Sequence, residues 1–225
     1  MDAGEQRLFC QLAIFVGGWT LEAAEAVCAD ALEEHGAPHQ TQILNGLDSL
    51  LSKSLIRQSG AANEPRFSML ETIHEFALEQ LDEHAEIATL RHRHAAFFLS
   101  LAERAEPHLT GRDQRAWFAQ LALEQGNLRA TLDWLLDGKH SARPTEQVVA
   151  AQVEDGLRLA GSLWRFWWMR GQLREGRTWL ERAIDRLVAC RSLIFMRRQL
   201  MCPGGAQPGA PPGLTKRNPA LGLRF

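Results

Sequence analysis

The spacing of apolar residues changes near position 70. Arg66–Met69 reads as a short strand, and from Ile73 the apolar positions run Ile73, Phe76, Ala77, Leu81, a 3.6-residue stripe. Before this junction the elements are short and mixed; after it the pattern is one of long helices. Upstream, residues 5–16 predict an amphipathic helix with Leu8, Leu12 and Phe15 on one side, ended by Gly17-Gly18. Thr20 is a suitable N-cap for a second helix over Leu21–Cys28, with Glu22 in its first turn and Ala23, Ala24 and Ala26 keeping it thin. A polar connection containing Gly36-Ala37-Pro38 leads to a third helix over Gln42–Leu51, predicted to bury Ile43, Leu44, Leu47, Leu50 and Leu51. Ser54–Gln58 and Arg66–Met69 predict a hairpin across the polar loop 59–65. Three helices and a two-stranded wing form the winged-helix order, and the hinge helix follows at Glu71–Glu83.

Downstream, a helix over Ala85–Ala105 points Leu90, Phe97, Phe98 and Leu101 inward, and Pro107 stops it. Asp113–Gln125 carries Trp117, Phe118 and Leu121. Gly126-Asn127 interrupts, and Leu128–Leu136 resumes. After a loop with Gly138 and Pro144, Glu146–Arg170 and Gln172–Leu187 form an antiparallel pair broken at Gly171. This pair fits one unit of a 34-residue helical repeat. Leu163 and Trp167 fall on the inner face of its first helix, Gly176 and Ala183 where the second needs small residues, and Leu180 where a large one fills the groove. Leu173, Trp179 and Leu187 also face inward. A lone repeat leaves one face open.

Residues 190–225 differ. Five of the nine prolines lie here, and no Asp or Glu follows Asp185. Such a segment has too little apolar patterning to offset its ordering entropy. Two readings stand: a disordered basic tail, or out-of-frame coding. The second draws on the 22 Arg against 3 Lys, a sign of GC-rich DNA. The expected organisation is therefore a winged-helix domain over 1–83, a helical linker and repeat over 84–189, and this tail.

Composition narrows the function classes. With 45% apolar and 23% charged residues the chain is ordinary for a globular protein. A net charge of −2 disfavours sequence-independent binding to nucleic acid, which needs clustered Lys and Arg. No run approaches the ~18 apolar residues of a membrane span, and the first residues show no signal-peptide pattern. Cys10, Cys28, Cys190 and Cys202 are scattered without CxxC, which predicts free thiols in a reducing cytoplasm.

No motif carries catalysis. Gly138-Lys139 is followed by His140, with Asp133 where a phosphate loop needs glycine. His74-Glu75 begins an HExxH, but position 78 is Leu. Glu71 and His74 supply a single ExxH, short of a di-metal site. His92 and His94 flank Arg93 on a face read as polar and solvated. The chain is expected to be no enzyme and to hold no metal. The third helix offers Gln40, Gln42 and Asn45 for base contacts but has one Lys, no Arg and one Asp nearby, so direct DNA binding is not expected. Trp164, Trp167 and Trp168 lie at helical spacing, a stripe that reads first as core or groove packing and second as a ligand or peptide surface.

Several of these stretches follow one another in a known order: LAIFVGGWTLEAAEAVC, LDSLLSKSLI, RFSMLETIHEFALEQL, RHRHAAFFLSLAERAEPHL, LEQGNLRATLDWLL and LWRFWWMRGQLREGRTWLERAI. Together they resemble the middle portion of large bacterial STAND-type ATPase regulators, the AfsR- and LuxR-associated proteins that join an NB-ARC-like ATPase to tetratricopeptide repeats. The resemblance covers about residues 5–187. It implies a winged helix that senses nucleotide held by the ATPase, followed by repeats that bind an effector or hold the protein inactive. Related NB-ARC proteins place a Met-His-Asp motif at the strand-to-helix junction, its His approaching the ADP phosphate; the matching positions here are Met69, Leu70 and Glu71. Leu70 cannot donate a hydrogen bond, while Glu71 keeps the acid.

The phosphate loop, the acidic Mg²⁺ site, later repeats and a terminal DNA-binding helix-turn-helix have no counterpart here. The chain is thus expected to be a fragment: a mainly α, non-catalytic switch and interaction segment of a cytoplasmic, ATP-dependent transcriptional regulator. ATP, ADP and Mg²⁺ are expected only with the ATPase module. Its expected partners are that module or an effector protein, with a small-molecule effector reaching the repeats, and neither nucleic acid nor membrane. Trp164, Trp167, Trp168 and Trp179 are the interaction residues. The alternatives are a free-standing protein-binding adaptor and a winged-helix DNA binder.

Overall fold

A computed structural model describes residues 1–28, 39–60, 65–82, 87–137 and 145–200. Loop residues 36–38, 61–64 and 138–144, Cys202 and the tail beyond 200 lie outside the described residues. The described chain is mainly helical with one small sheet.

Helix α1 (Ala3–Leu12) starts at a capping box: the Asp2 carboxylate accepts from the Glu5 N–H at 2.7 Å, and the Glu5 carboxylate accepts from the Asp2 N–H at 3.2 Å. It stops four residues before the predicted end at 16. The N–H groups of Ala13, Ile14 and Phe15 close local turns onto Cys10, Gln11 and Leu12, while three other backbone groups of 13–16 find long-range partners. The Val16 N–H donates to Asn127, and the Ala13 and Phe15 carbonyls accept from His74. Gly17 and Gly18 then turn with φ of 82° and 111°, a region glycine enters without strain. The turn delivers β1 (Trp19–Thr20), which sequence periodicity did not show because it is two residues long. Thr20 caps α2 (Leu21–Val27) as predicted, its hydroxyl accepting from the Ala23 N–H at 3.2 Å. The small residues Ala23 and Ala24 are buried on α2, which packs against α5.

Helix α3 (His39–Ser52) buries Ile43, Leu47 and Leu50, whereas Leu44 is exposed and Leu51 half-buried, because the helix rests on α1 and α2 through one face only. β2 (Arg57–Ser59) and β3 (Arg66–Ser68) follow. The sheet order is β1-β3-β2, all antiparallel, with Trp19 opposite Phe67 and Gln58 opposite Phe67 on the other side. The expected two-stranded wing is therefore three-stranded. α4 (Glu71–Asp82) buries Ala77 and Leu81, but Phe76, predicted within its inward stripe, is exposed. It forms part of an apolar groove with Phe9, Cys10, Leu55 and Ile73.

α5 (Ile87–Ala105) runs on into a 3-10 turn over Glu106–His108 that accommodates Pro107. α6 (Gln114–Leu123) and α7 (Gln125–Asp137) break at Glu124, so Gly126 and Asn127 sit in the first turn of α7 rather than in a gap. Thr145 caps α8 (Glu146–Met169). α9 (Leu173–Leu200) returns along it after Gly171, whose φ is 71°. The α8–α9 contact follows the predicted small–large pattern. A Cβ on Gly176 would lie 2.8 Å from the Trp167 ring, Ala183 is fully buried, and Leu163 and Trp167 face inward. Leu173, predicted inward, is exposed at the start of α9. The α9 backbone stays helical over 190–200, residues that the sequence reading placed in the tail. One continuous core runs from Leu8 to Ala183, so α1–α4 and α5–α9 share their interior.

Candidate functional site

The densest polar arrangement lies where the front elements meet α6 and α7. β3 presents Arg66 beside the Gly17-Gly18 turn. Its guanidinium pairs with the Glu124 carboxylate through both Nη atoms, and Nη2 also donates to the Leu123 carbonyl at 2.8 Å and the Gly18 carbonyl at 3.2 Å. Asn127, fully buried, donates to the Gly18 carbonyl at 2.9 Å and to Glu124 at 2.8 Å, and accepts from the Val16 N–H at 2.7 Å. Both Arg66 and Glu124 are largely shielded from solvent. The approach is so close that a Cβ on Gly126 would lie 2.6 Å from the Val16 carbonyl oxygen, and one on Gly18 2.5 Å from that of Phe67. Buried ions hold together when their hydrogen-bonding positions are filled. This network latches the helical rear to the sheet and turn of the front.

Sequence reasoning did not single out Arg66, Glu124 or Asn127. The signal was a charged residue and an amide bracketing a glycine inside an apolar helical run.

Beside the latch is a cleft of about 370 Å³ between the end of α1, α4, α5 and α7. His74 of α4 forms one side. Its Nε2 lies 2.9 Å from the Ala13 carbonyl and 3.1 Å from that of Phe15. Two carbonyl partners require the hydrogen on Nε2, so His74 holds the end of α1. His94 of α5 forms another side and corrects the expectation that it is solvated. It is buried, one turn from Leu90 and Phe98, against the Phe15 and Phe98 rings at 5.4 and 4.6 Å. Its place on the Leu90–Phe98 stripe makes it a core position. Burial pulls its pKa down to about 4, the nearby Asn127 side chain opposing with smaller effect, so the ring is neutral near pH 7. Nδ1 meets the Thr131 hydroxyl at 3.2 Å, and Nε2 has no hydrogen-bond partner among the described residues. His92, by contrast, is exposed and stands edge-on to Trp134 at 4.7 Å.

The predicted interaction tryptophans divide. Trp167 and Trp179 are buried, and Arg182 lies over the Trp179 ring at 4.5 Å. Trp164 and Trp168 are 43% and 52% exposed and stack on each other at 6.1 Å. Met169, Ile184 and Val188 are also uncovered on α8 and α9. Core packing therefore explains only half of the set.

Met69, Leu70 and Glu71 do not converge on a site. Met69 packs on the core and Leu70 is exposed, its carbonyl accepting from the Ile73 and His74 N–H groups at the start of α4. Glu71 is exposed in the first turn.

Cys10, Cys28 and Cys190 are free thiols, and burial raises the pKa of the first two, which makes them poor nucleophiles. Among the described residues no three His, Cys, Asp or Glu side chains gather as a metal site, and no helix is long and apolar enough to cross a membrane.

No family model matches the chain. It is 32% identical over 181 residues to proteins from Mycobacterium tuberculosis and Mycobacterium bovis that are named as HTH-type transcriptional regulators. The match covers 80% of this chain and 18% of each relative. The chain is thus related in sequence to transcriptional regulators, and it spans about a fifth of the length of the curated relatives it matches.

Proposed function

We propose that the chain is a non-catalytic switch and interaction segment of a cytoplasmic transcriptional regulator. In this reading α1–α4 and the sheet form a winged helix next to an NB-ARC-like ATPase, and α8–α9 begin a tetratricopeptide-like array that binds effectors. The observation that carries it is the Arg66–Glu124–Asn127 latch. A segment that relays a nucleotide-driven movement must not yield at its own middle, and a buried, hydrogen-bonded ion pair between front and rear resists such yielding. The relatives' names support the regulatory role, and their far greater length leaves room for an ATPase. Nucleotide sensing by Leu70 itself is unsupported, since the side chain offers no donor.

The test is the coding DNA adjoining this segment. An in-frame GxxxxGK[ST] upstream is expected; an unrelated gene there removes the ATPase coupling.

The name HTH-type favours a second reading, in which the winged helix itself touches DNA. Its electrostatics are weak. α3 carries Asp48, and Lys53 beyond its end is held by Glu5 at 2.6 Å. Fluorescence anisotropy with a DNA duplex decides between them. Affinity at low salt that falls steeply with added salt marks DNA contact by this chain; a flat titration places DNA contact elsewhere in the regulator.

A further inference from the structure

We propose that the uncovered face of α8 pairs two copies of this chain, the two α8 helices running antiparallel. The inference stands whether or not the ATPase coupling holds. Along α8, Ala150, Glu154, Leu157, Gly161, Trp164 and Trp168 recur at alternating intervals of four and three, the seam spacing of paired helices. Trp164 and Trp168 are 43% and 52% exposed, Glu154 is exposed, and Ala150, Leu157 and Gly161 are half-buried. The core contacts of the same helix use its other side, through Leu159, Leu163 and Trp167.

Apolar surface alone names no partner; charge and residue size do. The N-terminal half of α8 carries Glu146, Glu154 and Asp155. Its C-terminal half carries Arg158 and Arg165, with Arg170 at the cap and no acid after Asp155. Arg158 is paired with Asp155 and with Glu103 of α5, whereas Glu154 and Arg165 have no ionic partner among the described residues. A parallel copy would set like charges together, while an antiparallel one sets Arg165 beside Glu154 at both ends.

Residue size fixes the register. An antiparallel copy centred on Leu159 places Leu157 against Gly161 and Trp168 against Ala150, a large residue opposite a small one. A Cβ on Gly161 would meet nothing within 4 Å, so the notch that receives Leu157 is open. α9 agrees with the same centre. Gly176 lies against Trp167, so Ile184, eight residues on, stands level with Leu159. It is 52% exposed and would close on its own copy across the two-fold axis. A contact confined to one such face falls at the weak end of interface sizes, below ~1,200 Å² in total, so the pair forms at high protein concentration.

The test is sedimentation velocity on the full chain from about 5 to about 500 µM, which spans the range of weak complexes. The expected result is a monomer at the low end and a dimer at the high end. Arg165→Glu and Glu154→Arg should each weaken association about ten-fold or more, because both ends then oppose like charges. Mixed in equal amounts, the two variants should associate again, since each supplies the charge the other needs. Gly161→Leu should fill the notch and weaken association to a similar degree while the circular dichroism is kept. Three results overturn the inference: a monomer at every concentration, association that both charge reversals leave unchanged, or a mixture of the two variants that stays monomeric.

Discussion

Two regions of the molecule bring large surfaces to the same fold and treat them in opposite ways. At the front–rear junction, Arg66, Glu124 and Asn127 are buried with their hydrogen bonds made, and Gly18 and Gly126 let the backbones touch. On the outer side of the last helix pair, Trp164, Trp168, Met169, Ile184 and Val188 are left in solvent. Polar groups in a dry interface accept one geometry, because any slippage strands a charge. Exposed apolar groups accept many partners and specify none. The junction is therefore fixed within the chain, while the helical end is where a further surface can be received.

The junction should be the more sensitive of the two. Glu124→Ala leaves the Arg66 guanidinium buried without its counter-ion and is expected to cost about 3–5 kcal/mol in urea denaturation. Replacing both partners, Arg66→Met with Glu124→Leu, should recover much of that loss. A single-mutant cost below ~1 kcal/mol would show the pair to be solvated and the latch loose. Trp167→Ala should rank beside it, at about 3–5 kcal/mol, because the ring is buried against Gly176.

How much of this was legible in the sequence follows from the range of each signal. Helix spans and the Thr20 cap are local, and they emerge from spacing and turn chemistry. The Trp167–Gly176 contact was legible because a repeat pattern fixes which positions are small. β1 was not, since two residues make no period and only pairing with β3 defines them. The inward placement of Phe76 and Leu173 failed because an apolar residue at helical spacing shows a stripe but not its edges. His94 was misread from its neighbours Arg93 and His92, although its spacing to Leu90 and Phe98 placed it inside. The latch joins residues more than 100 positions apart, as in Val16 with Asn127. The sequence shows the Glu124–Asn127 cluster, but nothing in it names Val16, Gly18 or Arg66 as the partners.

Acid should destabilise the fold first through His94, beside the junction. His94 has a folded pKa of about 4 against 6.5 for an unperturbed, solvated side chain, so the unfolded state takes up the proton first. Its contribution is fully present above pH 6.5, declines as pH falls from 6.5 towards 4, and amounts to about 3 kcal/mol. Glu5, whose pKa Lys53 and Ser49 hold down to about 2, adds a second loss only between about pH 4.5 and 2. Urea midpoints at a series of pH values should therefore fall in two windows, and His94→Phe should flatten the upper one alone. A smaller effect is expected from Gly126→Ala. The new methyl would meet the Val16 carbonyl oxygen at 2.6 Å, forcing α7 and the α1 turn apart at about 1–3 kcal/mol. No change would mean that the two backbones do not touch.

The smallest effect is expected at the open face. Trp168 is half exposed and stacks on Trp164, whose ring stays accessible in turn. Trp168→Ala removes that stacking and little buried area, so it should change the unfolding free energy by no more than ~1 kcal/mol. Comparing it with Trp167→Ala, one residue earlier on the same helix, holds helix propensity and residue type constant and varies burial alone. A loss above ~2 kcal/mol would mean that the face is covered in solution. Association between copies would then make the urea midpoint rise with protein concentration, whereas a cover supplied by the same chain would leave it unchanged.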